Sequence, residues 1–481
     1  MCGIIGIYGD KEVASELWFG LIGLQHRGQD TAGIITYKDG RFYLKKGSGT
    51  VQNFFTSEDL KRLKGKVGLG HVRYPTIGAG DPEDAQPFYT NAPFGIAMAH
   101  NGNVINYQEL KEWLVRERRR HINTSNDVEI ILNLLASELG QARQSSLLQN
   151  EVSTVFEAVR RLMGKVNGSY SCVCFIAGEG LLAFRDPHGI KPLKFGWKGK
   201  NFCFASESVA LDTLGYREMR DVEPGEAVFI TVDRKVSSKV IKKLAPRHCI
   251  FEYIYFARPD SIIDGIWVYE ARFRLGEELA RRVQSRRIKP DVVIPVPDTA
   301  RTTALSMAQS LGVPYREGLI KNRYIGRTFI MPRDRRKIVQ YKLNPVRCEI
   351  EGKRVLLVDD SIVRGSTSRA IVSLVREAGP RAVYFASSSS PLKYPCFYGI
   401  DMQTRQEFIA REKSVNEIQK EIGADELIYQ SIEGMLRAVK TLSPHRAASS
   451  QRSLYCSACF DGDYPTKINP EEIARIEKDR G

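Results

Sequence analysis

The chain has 481 residues and a formal net charge of +15, with 42% hydrophobic and 26% charged residues; this is an ordinary globular composition with room for two or three domains. No apolar run reaches the roughly 18 residues of a membrane span, and no basic stretch before an apolar core marks a signal peptide, so a cytoplasmic chain with no membrane partner is expected. The positive excess admits nucleic-acid binding, but the basic runs at 116–120 and 333–337 are short and lack interleaved aromatics; a basic surface around sites for small polyanions accounts for the charge with no nucleic-acid partner.

In chain order, GIIGIY (3–8), AGIITY (32–37) and VGLGHVRY (67–74) read as strands, and their continuous apolar character predicts cover on both faces. A polar, Gly-containing turn, Gln25-His26-Arg27-Gly28-Gln29-Asp30, lies between the first two. His100-Asn101-Gly102-Asn103 ends a further strand. DVEIILNLLASEL (127–139) has helical spacing and an acidic start. CVCFIA (172–177) and LLAF (181–184) are again strand-like. Two sheets between helices fit this first part, to about residue 235. The basic stretch 235–248 is the expected linker. The rhythm then changes to helix 271–283, strand 291–296, helix 300–311, strand 354–358, a Gly-containing loop, helix 368–378 and strand 383–386. This repetition predicts a parallel α/β sheet with ligands at the strand carboxyl ends. From about residue 441 the tail has few core signals until Leu454.

Cys2 becomes the first residue once the initiating methionine is removed, and then carries a thiol beside a free α-amine. The amine can serve as base for the thiol, giving a nucleophile that needs no second side chain. Alone, Cys2 could be an accident of the start. Arg73, however, ends a strand and could hold a carboxylate bidentately. Asp127 could hold an ammonium, and an Asn side chain with a neighbouring Gly N–H, as at Asn101 and Gly102, could form an oxyanion hole. MCGIIGIYG, LQHRGQD, HVRYPT, HNGN and the Asp127 segment resemble the glutaminase domain of class II amidotransferases over roughly the first 235 residues. The resemblance implies an N-terminal-nucleophile hydrolase αββα sandwich. Cys2 is then the nucleophile, Asn101 and Gly102 the oxyanion hole, and Arg73 and Asp127 the glutamine ligands. Two departures, RYPT for the commoner RYST or RYAT and Asn126 where Ser often stands, remove no catalytic group.

The string from Val355 to Thr367 places Asp359 and Asp360 at the end of an apolar strand, followed by Ser361, Gly365, Ser366 and Thr367 before a helix. Backbone N–H groups and hydroxyls there can cradle a phosphate, and the acids can hold ribose hydroxyls or hydrated Mg²⁺. The string resembles the phosphoribosyl pyrophosphate (PRPP) signature of type I phosphoribosyltransferases. KNRYIGRTFIMP, from Lys321, and FEYIYFARPDS, from Phe251, resemble segments of the amidophosphoribosyltransferases. That resemblance implies a lid over PRPP at 321–329 that includes Lys321, Arg323 and Tyr324. It also implies one Mg²⁺ per chain on Thr299, Asp359 and Asp360. The expected parts are a glutaminase at 2–235, a phosphoribosyltransferase at 249–440 and a tail at 441–481. Glutamine and PRPP are the expected substrates, with feedback by purine nucleotides and a homotetrameric assembly.

Nine cysteines are present. Cys172, Cys174 and Cys203 sit in apolar strand-like runs and read as core. Cys456-Ser-Ala-Cys459 could be a zinc half-site, a redox pair or neither. In the cluster-bearing branch of the amidophosphoribosyltransferases, cysteines stand at points matching Cys249, Cys396, Cys456 and Cys459, which implies one structural [4Fe–4S] cluster per chain; a Cys₄ zinc site is the alternative. Cys348 has no such counterpart and reads as a surface or loop thiol.

Overall fold

The structure, a computed structural model, describes residues 2–74, 82–144, 150–324, 335–400, 407–444 and 454–469. The first half contains strands β1 (Gly3–Tyr8), β2 (Thr31–Lys38), β3 (Arg41–Ser48), β4 (Val67–Arg73), β5 (Phe88–Thr90), β6 (Ile96–Val104) and β7 (Gly168–Ile176). It continues with β8 (Gly180–Arg185), β9 (Lys194–Lys198), β10 (Asn201–Ala205), β11 (Glu218–Asp221), β12 (Glu226–Thr231) and β13 (Val236–Val240). They form a seven-stranded sheet, β11-β9-β10-β1-β4-β2-β3, and a six-stranded sheet, β13-β12-β8-β7-β6-β5. The pairings within both sheets are antiparallel.

The two sheets bury one apolar layer between them, with Ile4, Leu69 and Phe204 from one meeting Ala99, Val173 and Val228 from the other. Helix Ala14–Gly23 covers the outer face of the first sheet. Helices Asp127–Arg143 and Glu151–Lys165 cover the second. Both sheets are therefore buried on both faces, which is why their central strands read as unbroken apolar runs rather than alternating ones. This is the four-layer αββα order expected. Cys172, Cys174 and Cys203 are fully buried in it.

The stretch 235–248 differs from the linker expectation. It opens as β13, paired with β12 along its length, so the sheet continues past the boundary expected at residue 235. The strand is an exposed edge, with Ser and Lys facing solvent, and a polar edge strand has a composition that resembles a linker's.

In the second half, β14 (His248–Cys249) is followed by the β15 (Ile262–Ile263) and β16 (Ile266–Trp267) hairpin and the long helix Val268–Ser285. Then come β17 (Val292–Pro295), β18 (Leu319–Lys321), β19 (Leu343–Pro345), β20 (Arg354–Asp359), β21 (Ala382–Ser387), β22 (Glu426–Tyr429) and β23 (Tyr455–Cys456). The strands β17-β20-β21-β22 form a parallel sheet. Helices Arg301–Leu311 and Ser366–Arg376 follow β17 and β20, as the strand–loop–helix rhythm predicts. Residues 325–329 of the expected lid lie outside the described residues, and no helix is long and apolar enough to cross a membrane among those described.

Candidate active sites

Cys2 leads into β1, which lies at the middle of its sheet between β10 and β4. The central strand thus presents Cys2 at its amino end, one residue before its pairing with β4 begins at Gly3. Its N–H donates to Asn101 Oδ1 at 3.2 Å, and its carbonyl accepts from Arg27 Nε at 2.9 Å. With Oδ1 of Asn101 committed to Cys2, Nδ2 has no partner among the described residues, although it is fully buried. An unpaired buried donor costs about 1–3 kcal/mol until an acceptor arrives, so Asn101 is set to receive an oxygen. Gly102, next along β6, has φ +154°, and a Cβ there would lie 2.0 Å from the Ser169 carbonyl oxygen. Only glycine fits that close approach.

Arg73 ends β4 and is buried. Its Nη1 donates to the Asp84 carbonyl at 3.2 Å and stands 3.7 Å from the Asp84 carboxylate. The turn at 25–30 closes on its main chain, since a Cβ on Gly28 would lie 2.5 Å from the Arg73 carbonyl carbon. Asp127 opens a helix whose N-cap is Asn126, which accepts from the Val128 N–H. The Asp127 carboxylate accepts from the Val104 N–H at 3.1 Å and pairs with His100 at 3.4 Å. Burial alone would raise its pKa; His100, the Val104 N–H and Arg73 outweigh burial and hold it below the ordinary carboxylate range. Cys2, Arg73, Gly102 and Asp127 thus line one pocket, with about 20 Å³ of free space. That is room for about one water, so the pocket must widen to admit an amino acid. A thiol at one end with a cation and an anion at the other matches what glutamine presents.

The second site is at the carboxyl end of β20. Asp359 is buried and Asp360 half-buried. The Asp360 N–H donates to Asp359 Oδ1 at 2.9 Å, and Ser361 Oγ donates to Asp360 Oδ1 at 2.7 Å. Burial first, then the mutual repulsion of the pair, pushes Asp359 well up; burial pushes Asp360 up to about 6. Two adjacent carboxyls, one buried and one half-buried, both pushed toward the neutral form are a donor set that a hard divalent cation would relieve. Gly365 (φ +73°) turns the chain into helix Ser366–Arg376. Asp359, Asp360, Ser361, Gly365 and Thr367 line a cavity of about 560 Å³. His26, Arg27, Gln29 and Tyr74, from the first half of the chain, line the same cavity.

Thr299 sits in the turn after β17, beside β20, and is not among the residues lining that cavity. Lys321 pairs with Asp298 at 2.7 Å, and Arg323 and Tyr324 are exposed. The structure therefore brings the two acids and the glycine loop together. It does not place Thr299, Lys321, Arg323 or Tyr324 among the residues lining that cavity.

The two halves meet at a buried charge network that sequence reasoning missed. Arg27 donates to both Glu252 oxygens at 2.7 and 3.0 Å and to Glu207 at 2.5 Å. Glu207 also accepts from Ser261 Oγ at 2.7 Å and the Arg258 N–H at 2.9 Å, and pairs with His26 at 2.7 Å. Burial opposes ionisation of Glu207, but His26 and Arg27 outweigh it and hold the carboxyl far below its ordinary range. Arg27 lies in a motif already singled out. Glu252 also lies in a quoted segment, FEYIYFARPDS, but without a role; Glu207 gave no signal, because a charged residue becomes informative only once the fold buries it.

The four C-terminal thiols converge from three segments. Cys249 in β14 is the parallel partner of Cys456 in β23. Cys459 accepts through its carbonyl from the Lys393 and Tyr394 N–H groups, and so holds the Cys396 segment alongside. All four are buried in one apolar cluster and lie outside any disulfide; burial first, and then the nearness of Cys396, Cys249 and Cys456, pushes the Cys459 thiol well up. Among the described residues no three His, Cys, Asp or Glu side chains stand close enough to hold a single metal ion. Lys191 is fully buried beside them; burial would lower its pKa, but Cys249 and Cys396 raise it further. Four converging thiols with a buried cation nearby are a donor set for a Cys₄-ligated cluster, which spreads its thiolates over several metals, rather than for one ion. Cys348 is exposed, as expected.

Comparison with known proteins matches both halves. A family model described as "Glutamine amidotransferase domain" matches residues 71–213, and one described as "Phosphoribosyl transferase domain" matches residues 268–398. The amidophosphoribosyltransferase of Pseudomonas aeruginosa is 46% identical over 491 residues, covering 100% of this chain and 96% of its own. That of Escherichia coli is 47% identical over 480 residues, covering 97% and 93%. A solved structure of the glutamine PRPP amidotransferase from B. subtilis, complexed with ADP and GMP, superposes with a TM-score of 0.86 at 39% identity, over 98% of each chain.

Proposed function

The chain belongs to the amidophosphoribosyltransferase family, and from that premise we propose how its own residues divide the work. The enzyme hydrolyses glutamine to glutamate and transfers the ammonia to PRPP, giving 5-phosphoribosylamine and pyrophosphate in purine biosynthesis.

Arg73 takes the glutamine α-carboxylate and Asp127 its α-ammonium. Once the methionine is removed, the Cys2 α-amine accepts the thiol proton and Sγ attacks the carboxamide carbon. The oxygen that gains charge falls to Asn101 Nδ2 and the Gly102 N–H. The proton then returns to the leaving nitrogen, ammonia departs, and water releases glutamate from Sγ. At the second site the Ser361–Thr367 loop receives the 5-phosphate, and Asp360 takes the ribose hydroxyls. Lys321, Arg323 and Tyr324 approach the pyrophosphate. Asp359, Asp360 and Thr299 would hold Mg²⁺, which when bound neutralises the pyrophosphate.

The observation that carries this division is the cavity of about 560 Å³ lined from both halves of the chain. Ammonia in bulk water is mostly protonated at neutral pH and therefore not nucleophilic, so passage through a shared cavity protects it. Cys249, Cys396, Cys456 and Cys459 would hold a [4Fe–4S] cluster in a structural role, since the reaction transfers no electrons. The proposed division of the chain is a glutaminase half, a phosphoribosyl half from residue 249 and a tail from 441. Purine nucleotides as feedback inhibitors, a homotetramer and a cytoplasmic location complete the proposal; the B. subtilis relative's ADP and GMP support the first.

Cys2→Ala tests the division. Glutamine-dependent synthesis should fall by at least about 10³-fold, the order expected when a covalent nucleophile is lost, while synthesis from ammonium salts persists. Normal glutamine-dependent turnover in Cys2→Ala would overturn it.

A further inference from the structure

We propose that residues 396–400, which belong to the phosphoribosyl half, form a strap that positions the oxyanion strand of the glutaminase, with Gly399 as its contact point. The proposal rests on the assignment of Asn101 and Gly102 as oxyanion donors. The strap is seated on β6 and β7 by three contacts. Asn103 Nδ2 donates to the Phe397 carbonyl at 3.0 Å, and Ser169 Oγ donates to the Tyr398 carbonyl at 2.9 Å. Asn103 and Ser169 are register partners on adjacent strands, so the two bonds fix successive strap carbonyls against one rung of the sheet. Gly399 then lies flush on Gly102. A Cβ on Gly399 would stand 2.6 Å from the Gly102 carbonyl oxygen, 2.9 Å from its carbon and 3.2 Å from its Cα.

All three of those neighbours are main-chain atoms. A side chain could rotate away; the Gly102 peptide can move only by shifting β6. Gly102 also packs closely on β7, where a Cβ would lie 2.0 Å from the Ser169 carbonyl oxygen, which limits how far it can give way. The strap thus bears on the Gly102–Asn103 peptide and on the Gly102 Cα, and through that Cα a displacement passes to the Gly102 N–H. Asn101, whose Nδ2 lacks a partner among the described residues, is the preceding residue on the same strand. The strap is itself packed, through Phe397, Tyr398 and Ile400, into the apolar cluster that contains Cys249 and Cys456. The Tyr398 N–H donates to Cys396 Sγ at 3.4 Å, and Ile400 lines the cavity that contains Asp359 and Asp360. Gly399 touches no substrate in this arrangement and acts through Gly102, so it is a positioning residue.

Donors aimed at a developing oxyanion lose most of their effect when displaced by about 1 Å, whereas Arg73 and Asp127 hold the glutamine α-groups through side chains, with the Val104 N–H as the tie between Asp127 and β6. Gly399→Ala should therefore lower kcat for glutamine hydrolysis by about 10- to 100-fold with KM for glutamine changed by less than about threefold. The γ-aldehyde analogue of glutamine adds to Cys2 by forming an Sγ–C bond, and its oxygen becomes the oxyanion. Its Ki should rise in parallel with the loss in kcat. Synthesis from ammonium salts and PRPP should continue. Gly312→Ala, at φ +68° with open space around it, gives the effect of backbone strain without a clash. Ser169→Ala, which removes one strap bond without adding bulk, should lower glutaminase kcat by at least about threefold and keeps the proposal testable if Gly399→Ala does not fold.

The proposal is overturned if Gly399→Ala or Ser169→Ala keeps parental kcat and aldehyde affinity, or if kcat falls while aldehyde affinity does not. It is also overturned if losses appear equally with ammonia. Each variant is compared with Cys2→Ala. If Cys2→Ala abolishes glutaminase while the strap variants leave it intact, the strap fails and the nucleophile assignment stands. If Cys2→Ala retains glutaminase, the underlying assignment fails first.

Discussion

Arg27 offers the sharpest test of how the halves are joined. Its guanidinium and its partners Glu207 and Glu252 have side chains 0–2% exposed. Glu207 has other donors in His26, Ser261 and Arg258, but both oxygens of Glu252 rest on Arg27. Arg27→Met keeps the volume of the stem and leaves Glu252 buried without its cation. Breaking a buried pair from one side costs about 3–5 kcal/mol. For 481 residues unfolding as one unit at about 2.1 cal/mol/K per residue, the unfolding entropy is about 1 kcal/mol/K, so Tm should fall by about 3–5 °C. Glu252→Gln leaves Arg27 with Glu207 and the Cys2 carbonyl and should cost about 1–3 kcal/mol. In the double variant Arg27→Met/Glu252→Gln no charge is stranded at residue 252, so its loss should be smaller than the sum of the singles by about 1.5–3 kcal/mol. Differential scanning calorimetry of the four proteins gives the cycle. The function should divide differently: Arg27→Met also removes the bond to the Cys2 carbonyl and should lower glutaminase kcat about tenfold at 25 °C, and Glu252→Gln should lower it less. Single effects that add within about 0.5 kcal/mol, or equal glutaminase losses in the two singles, would refute the reasoning.

The other predictions use the separateness of the sites. Asp359→Asn/Asp360→Asn should abolish synthesis with either nitrogen source while Cys2 is still alkylated by a glutamine analogue; unchanged PRPP affinity would count against those acids. Anaerobically purified protein should be brown, with about four irons and four sulfides per chain; colourless protein with one tightly bound zinc, or none, would remove the cluster and leave the rest intact. Glutamine binding to the Cys2→Ala chain should be flat from about pH 8 to pH 5, because Asp127 is held below the ordinary carboxylate value of about 3.9. Its contribution is fully present above that value and is lost only as pH falls through the lower folded one; a tenfold weakening by pH 5, measured calorimetrically, would contradict the His100 and Val104 contacts.

What could be read from the sequence was whatever depends on local chain order. The apolar runs at 3–8 and 354–358, the Asn126 cap before Asp127 and the Gly365 turn after two acids each declare a strand, a helix start or a phosphate loop within a few residues. Resemblance supplied Asn101 and Gly102, and their geometry then gave the reason: an amide committed to Cys2 on one side, and a glycine where no Cβ fits. The edge strand β13 was hidden because a strand with one open side needs no apolar pattern. The roles of Glu207, Glu252, Ser169 and Gly399 were hidden for another reason. Each matters through a partner far away in sequence, such as Ser169 with Tyr398 or Arg27 with Glu252, and no local pattern records such a pairing.

Those long-range pairs share a plan. The nucleophile is supported on its carbonyl side by Arg27, which Glu252 holds from the phosphoribosyl half. The oxyanion strand is backed on its other side by residues 397–399 of that same half. Glu252 lies on the π-helical turn that follows Cys249, and Phe397 directly follows Cys396. Both supports are thus rooted beside thiols of the C-terminal cluster, which ties β14, β23 and the 396–400 strap together in one apolar core. A Cys₄ group there would act on glutamine hydrolysis without touching glutamine, by fixing the two main-chain segments against which Cys2 and Gly102 are aligned. The absence of any electron-transfer step in the reaction is then no argument against such a group. Its role would be mechanical, and its loss should register first in the alignment of the glutaminase rather than in the binding of PRPP, whose acids and glycine loop stand on the parallel sheet.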